Sequence, residues 1–309
     1  MELVHGVHNL RERHKGCVLT IGKFDGVHLG HQAVLKQLIE QARARQLPAT
    51  VMVFEPQPEE VFMPSSAPAR LSTLRDKYQA LEALGIDRLI CVKFNHDFAG
   101  QSPQTFTQDL LVNRLGVRFL VVGDDFRFGK GRAGDFAMLV DAGQQNGFSV
   151  VNTKSLLLAK CRVSSTAIRE ALERSEFSLA ESMLGRPFTI SGKVIHGEKL
   201  GRTIGFPTAN VLLKRLKSPI SGVFAVHVRI ENTLYAGVAN IGHRPTVDGT
   251  RAQLEVHVFD FAHNLYGKRI NVIPIAKLRE EQRFASFDAL KQQIIQDAEQ
   301  AKTLLASTI

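Results

Sequence analysis

The sequence predicts two domains: an α/β domain built on a parallel sheet, then a small antiparallel β-barrel followed by one helix. Three observations carry this. Through residue 150, short apolar runs alternate with helical stripes, the pattern of βαβ units. After Gly185-Arg186-Pro187 the chain turns to short β-branched and aromatic runs separated by Gly, Pro and Asn, which suits a barrel whose closure removes free strand edges. The 309 residues also exceed the usual size of one domain. The expected division is 1–185 and 186–309.

In the first domain the runs 17–21, 49–54, 88–94, 118–122 and 148–151 read as strands. Between the first two, Leu35, Leu38, Ile39 and Ala42 form an i, i+3, i+4, i+7 stripe, the mark of a helix with one apolar face. A second helix should start where Ser102 caps and Pro103 takes the first helical position, burying Phe106, Leu110, Leu111 and Leu115. In the second domain 188–195, 222–230, 234–241, 253–259 and 269–275 read as strands. A last helix, capped near Ser286, should bury Phe287, Leu290, Ile294 and Ala298.

Composition narrows the function classes. A net charge of +9 suits a nucleic-acid binder or a protein that holds several phosphates. Lys and Arg are scattered, with no basic run and no interleaved aromatics, so no nucleic-acid partner is expected. Cys17, Cys91 and Cys161 lack CxxC spacing, which argues against a disulfide framework or a zinc site and fits a reducing cytoplasm. No stretch approaches the ~18 apolar residues of a membrane span, so a soluble, cytoplasmic protein without a membrane partner is expected.

The first constellation is Gly22-Lys23-Phe24-Asp25-Gly26-Val27-His28-Leu29-Gly30-His31, running from the first strand into a helix. Such a turn offers free backbone N–H groups and a helix dipole to an anion. Gly22, Gly26 and Gly30 let phosphate approach, with Phe24 beside them. His28 and His31 can lie on one side of the turn and stabilise charge building on a phosphate during displacement. Gly123-Asp124-Asp125-Phe126-Arg127-Phe128-Gly129 leaves the fourth strand, and one of its rings, Phe126 or Phe128, could border a flat aromatic ligand or pack in the core. Arg162, Ser164, Ser165, Thr166 and Arg169 open a further helix and could hold a triphosphate.

The second constellation runs from Gly197 through Gly201 and Gly205 to Pro207-Thr208-Ala209-Asn210, a glycine-rich loop able to close over phosphates. Thr208 and Asn210 can offer hard oxygens to Mg²⁺. Alternation puts Glu255 on a strand face with Gln253 and His257, where a carboxylate could take a proton from an attacking hydroxyl.

GKFDGVHLGHQ, GDDFRFGKGRAGDF and RVSSTAIR resemble the adenylyltransferase domain of the bacterial bifunctional riboflavin kinase/FAD synthetases, a Rossmann-like domain of the HxGH nucleotidyltransferase type. GRTIGFPTANV, ANIGHRPTV, LEVHVFDF and LREEQRF resemble the riboflavin kinase domain of the same family, so the likeness spans roughly residues 15 to 300. The resemblance implies riboflavin, FMN, FAD and ATP as ligands, Mg²⁺ as cofactor and ATP as co-substrate. It puts His28 and His31 at the ATP α-phosphate, Ser164 to Arg169 at the phosphates, Thr208 and Asn210 at Mg²⁺ and nucleotide, Glu255 as base and Arg279 near the flavin. Asp125 stands where some members carry Asn. The rival class is a non-catalytic flavin- or nucleotide-binding regulator on the same scaffolds, which would not need these histidines and this carboxylate.

Overall fold

The computed structural model describes residues 1–123, 125–153, 157–158, 161–197, 205–213, 215–246 and 249–306. The chain divides into two compact units, 1–68 with 74–163 and 69–73 with 164–309.

The first unit is a six-stranded sheet of β1 (Glu2–His5), β2 (Cys17–Ile21), β3 (Ala49–Glu55), β4 (Arg88–Lys93), β5 (Val117–Val122) and β6 (Ser149–Asn152). Its order is β1-β4-β3-β2-β5-β6, and every pairing is parallel. Strand order reverses at β2, so the crevice at the carboxyl ends of β2 and β5 is the switch point where ligands of such sheets bind. Both motif loops of this unit leave from those two strand ends. The sheet is buried on both faces, by α1 (Leu29–Ala44) and α3 (Leu74–Ala83) on one side and by the helix after α4 (His96–Ala99) together with α6 (Phe136–Asn146) on the other. The short α2 (Pro58–Phe62) follows β3.

Leu35, Leu38 and Ala42 of the expected stripe are fully buried. Ser102 caps α5 (Pro103–Thr105) by accepting from Thr105 N at 3.0 Å, as the sequence predicts. The helix continues through Phe106–Arg114 in π geometry, and Leu115 N donates to Leu110 O five residues back. Phe106, Leu110, Leu111 and Leu115 are all buried. The sequence reading omitted β1, α2, α3, α4, α6 and the hairpin of β7 (Leu157–Leu158) and β8 (Cys161–Arg162).

The second unit holds α7 (Ser165–Glu173), α8 (Phe177–Leu184) and a closed barrel of β9 (Ile190–Ile195), β10 (Ala209–Leu212), β11 (Gly222–Ile230), β12 (Thr233–Thr246), β13 (Gly249–Val258) and β14 (Arg269–Arg279). The circuit is β10-β13-β12-β11-β14-β9, antiparallel throughout. Val194, Val211, Phe224, Ala239, Ile241, Leu254 and Val256 share one face through their cross-strand pairs and are buried inside. Val223, Ala225 and Val238 lie on the outer face against Ala298, Ala301 and Leu305 of α9 (Phe287–Ala306). Ser286 caps this helix by accepting from Ala289 N at 3.2 Å. One expectation for α9 is corrected: Phe287 is 52% exposed, because the buried stripe is set by Asp297, Ala298, Ala301 and Leu305, which dock on the barrel. β10, read from the sequence only as the end of a loop, is a full member of the barrel.

Candidate active sites

In the first unit the turn after β2 is a strained one. Phe24 and Val27 have φ of 47° and 42°, and for a β-branched residue this is a true outlier, held here because both side chains are buried. Gly26, at φ 84°, takes the remaining left-handed position without that strain. The turn delivers His28 as the N-cap of α1, and His31 N donates to His28 Nδ1 at 3.3 Å. Accepting through Nδ1 leaves the ring proton on Nε2. The two imidazoles stack, with centroids 3.7 Å apart and planes 19° apart, and Phe24 lies 5.0 Å from the His31 ring.

This stacking depends on Gly30: a Cβ there would sit 3.1 Å from the His28 ring and 3.2 Å from Val163 O. Burial first, then the charges of His28, Lys77 and Lys23, hold the His31 pKa well below the ordinary histidine value. His31 is therefore neutral near pH 7, its Nδ1 buried and without a hydrogen-bond partner among the described residues. Positive charge at the turn comes from lysines: Lys77 is 1% exposed, and Lys23 reaches Glu59 of α2 at 2.6 Å.

The loop after β5 separates its two aromatic residues. Phe128 is buried in the core, 5.2 Å from the Phe106 ring, while Phe126 stacks on it at 5.8 Å and stays half-buried. Asp125 is exposed, and Asp124 lies outside the described residues. At the carboxyl ends of β3 and β4 the sequence reading missed an aromatic cluster in which Phe54, Phe62 and Phe98 each pack against Phe94; Phe62 is 53% exposed. Four phenylalanines on separate short elements leave no sequence pattern, so only the fold gathers them.

In the second unit Ser164 caps α7 by accepting from Ala167 N at 3.2 Å, and Arg169 Nε donates to Ala69 O at 2.6 Å. Ser165 and Thr166 form the first turn of that helix. The side chain of Arg162, and all of Gly201, lie outside the described residues.

The barrel brings Asn210 and Glu255 together. Asn210 of β10 and Asn240 of β12 are both direct cross-strand partners of Glu255 on β13, so three polar side chains form one row on the outer face. Gln253 Nε2 donates to Asn210 Oδ1 and to Glu255 Oε1, each at 2.8 Å. Gly197 has a specific reason to be glycine, since any Cβ there would collide with the Asn210 amide. Thr208 borders a cavity of about 330 Å³ at one end of the barrel, walled by Val194, Ala209, Val256 and the loop from Phe261 to Tyr266. His257 shares a hydrogen bond of 2.8 Å with Pro207 O, which fixes the approach to Thr208.

Arg279, at the end of β14, is held by α9. Its guanidinium donates to both oxygens of the buried Asp297 at 2.8 to 3.0 Å and lies over the Phe284 ring at 5.6 Å. Among the described residues no cluster of His, Cys, Asp and Glu could hold a metal by itself, and no helix is long and apolar enough to cross a membrane. Cys17 and Cys91 are free and buried, and burial pushes the Cys17 thiol up to about 12.

The FAD synthetase family model matches residues 10–167, and the riboflavin kinase family model matches residues 184–305. A protein of Escherichia coli strain K12 named bifunctional riboflavin kinase/FMN adenylyltransferase is 53% identical over 310 residues, covering 100% of this chain and 99% of its own. One of the same name from Haemophilus influenzae is 51% identical over 308 residues, covering 99% and 100%. A Streptococcus pneumoniae crystal structure titled macrolide-efflux protein superposes with a TM-score of 0.76 at 28% identity, covering 96% of this chain and 97% of that one.

Proposed function

The chain belongs to the bifunctional riboflavin kinase/FMN adenylyltransferase family, and from that premise we propose that adenylyl transfer runs at the His28–His31 turn and phosphoryl transfer beside Glu255. The C-terminal part phosphorylates riboflavin with ATP, giving FMN and ADP; the N-terminal part joins AMP from ATP to FMN, giving FAD and diphosphate.

In the kinase reaction Glu255 accepts the proton of the riboflavin hydroxyl as it attacks the γ-phosphate. Gln253 holds Glu255 and Asn210 in one orientation, and this bridge is the observation that carries the reading. Thr208 and Asn210 offer neutral hard oxygens, and Asn210 Oδ1 keeps a second lone pair beside the Gln253 bond, a donor set that fits Mg²⁺ arriving with the nucleotide. The bound ion would neutralise charge on the transferring phosphoryl group. Gly197 and Gly201 are assigned to the ATP phosphates, and Arg279, fixed by Asp297, to the flavin.

In the adenylyl reaction the amides at Gly22, Gly26 and Gly30 and the ring N–H groups of His28 and His31 meet the α-phosphate, with Phe24 packing the turn. By the resemblance, Arg162, Ser165, Thr166 and Arg169 are taken as phosphate-binding residues. Phe126 borders the flavin with Phe128 behind it, and Asp125 flanks them. The functional division is put at 185/186, the riboflavin kinase match beginning at residue 184 being its support. A reducing cytoplasm is the proposed compartment, in keeping with the free, buried Cys17 and Cys91.

Three variants, two at the first site and one at the second, test this. With riboflavin, ATP and Mg²⁺, His28→Ala and His31→Ala should accumulate FMN while FAD formation falls by about 10² to 10³. Glu255→Gln should cut FMN formation by about 10² to 10⁴ yet still make FAD from added FMN. Loss of both activities in any of the three folded variants refutes the two-site assignment.

A further inference from the structure

Asn240 Oδ1 is buried and has no hydrogen-bond partner among the described residues. Its amide cannot simply be turned round, because Nδ2 donates to Glu281 Oε1 at 3.3 Å and a flipped amide would set oxygen against carboxylate. The carboxylate of Glu281 lies directly over Gly242, two residues further along β12 on the same face, where any Cβ would displace it. An acceptor locked in this way costs stability until a donor reaches it. Glu281 is itself exposed, so rotation of its side chain opens the approach.

What donor belongs there follows from the register. Asn240 is the direct partner of Glu255, on the opposite side from Asn210, so its amide stands one strand spacing, roughly 5 Å, from the carboxylate. Given the assignment of Glu255 as base, on which this rests, the terminal hydroxyl of the ribityl chain lies at Glu255. A polyol chain carries its next hydroxyls within a few ångströms of the terminal one. Asn210 Oδ1 is bound by Gln253 and assigned with its second lone pair to Mg²⁺, so along this row Asn240 Oδ1 is the amide acceptor still to be matched. We infer that Asn240 Oδ1 accepts a hydrogen bond from a non-terminal ribityl hydroxyl, making it a residue that selects a polyol chain as phosphoryl acceptor.

The test uses the full-length enzyme and a set of riboflavin analogues, each lacking one non-terminal ribityl hydroxyl. One analogue should have kcat/KM reduced about tenfold in the wild type, the effect of one neutral hydrogen bond. Asn240→Ala should raise the KM for riboflavin by a similar factor and leave that analogue unaffected, so that the discrimination disappears. Uniform loss against every analogue in Asn240→Ala overturns the inference. So does a wild-type enzyme that discriminates against none, a result that needs no variant to fold. Failure of the Glu255 assignment shows separately, as kinase turnover retained in Glu255→Gln while Asn240→Ala still alters KM.

Discussion

Replacing Gln253 by leucine keeps the volume of the side chain and removes its two donated hydrogen bonds. One goes to the Glu255 carboxylate and one to the Asn210 amide oxygen, both at 2.8 Å. A hydrogen bond to a charged group contributes about 1.5–3 kcal/mol and a neutral one about 0.5–1.5 kcal/mol. Gln253 is only half-buried, so the lower ends apply, and about 2 kcal/mol of positioning should be lost. That corresponds to about a thirtyfold fall in kcat/KM for riboflavin phosphorylation. FMN production is followed by chromatography, and FAD formation from added FMN serves as the control for the other site. The decline should fall mainly on kcat, since Gln253 touches the base and not the flavin. A folded Gln253→Leu enzyme within about threefold of wild type would refute the view that this bridge aligns Asn210 with Glu255.

Asp297→Ala strands the Arg279 guanidinium and loosens α9. Asp297 is 4% exposed, so a loss of about 2–4 kcal/mol in urea unfolding is expected, against under 1 kcal/mol for an exposed pair such as Lys302–Glu299. A fragment 164–309 should melt at a higher temperature than 186–309, because Phe177 of α8 packs on Phe224 at 5.9 Å and Ala180, Met183 and Leu184 are buried; equal melting would show that α7 and α8 are dispensable to the barrel. The hydrogen bond from Arg88 holds the Glu2 carboxyl below its ordinary value of 4.5, against burial that raises it, with His14 as a second donor. A lowered native pKa means stability present above pH 4.5 and lost as pH falls through the native value, so the melting advantage of wild type over Glu2→Gln should shrink below about pH 4.5. An advantage that grows on acidification contradicts this.

Much of this was legible in the sequence because the signals are local. The helix stripe at Leu35, Leu38 and Ala42, the Ser102–Pro103 start and the alternation around Glu255 each depend on residues close in the chain. The turn at His28 was legible for the same reason, since strand, glycines and helix are contiguous. What stayed hidden depends on pairing at a distance. Nothing near Asn240 or Asn210 says that both will stand opposite Glu255, because register is decided only when three strands assemble. β1 is four residues long and carries no alternation to mark it. Phe287 was misassigned because a helical stripe gives periodicity but not which end reaches the barrel.

Closure of the barrel also sets a timetable for biosynthesis. The sheet beneath His28 has all six strands once the chain has been made through Asn152. The barrel cannot shut until β9 meets β14, where Ile190 pairs with Val272, and the Asn210–Glu255 row waits on β13. Synthesis from the N-terminus thus supplies every strand of the sheet beneath His28 before the barrel has all of its own. A nascent chain stalled after β12 carries β9 beside β10 and β11 beside β12, with the edges that will meet β13 and β14 still open, and open edges of this kind invite wrong pairing.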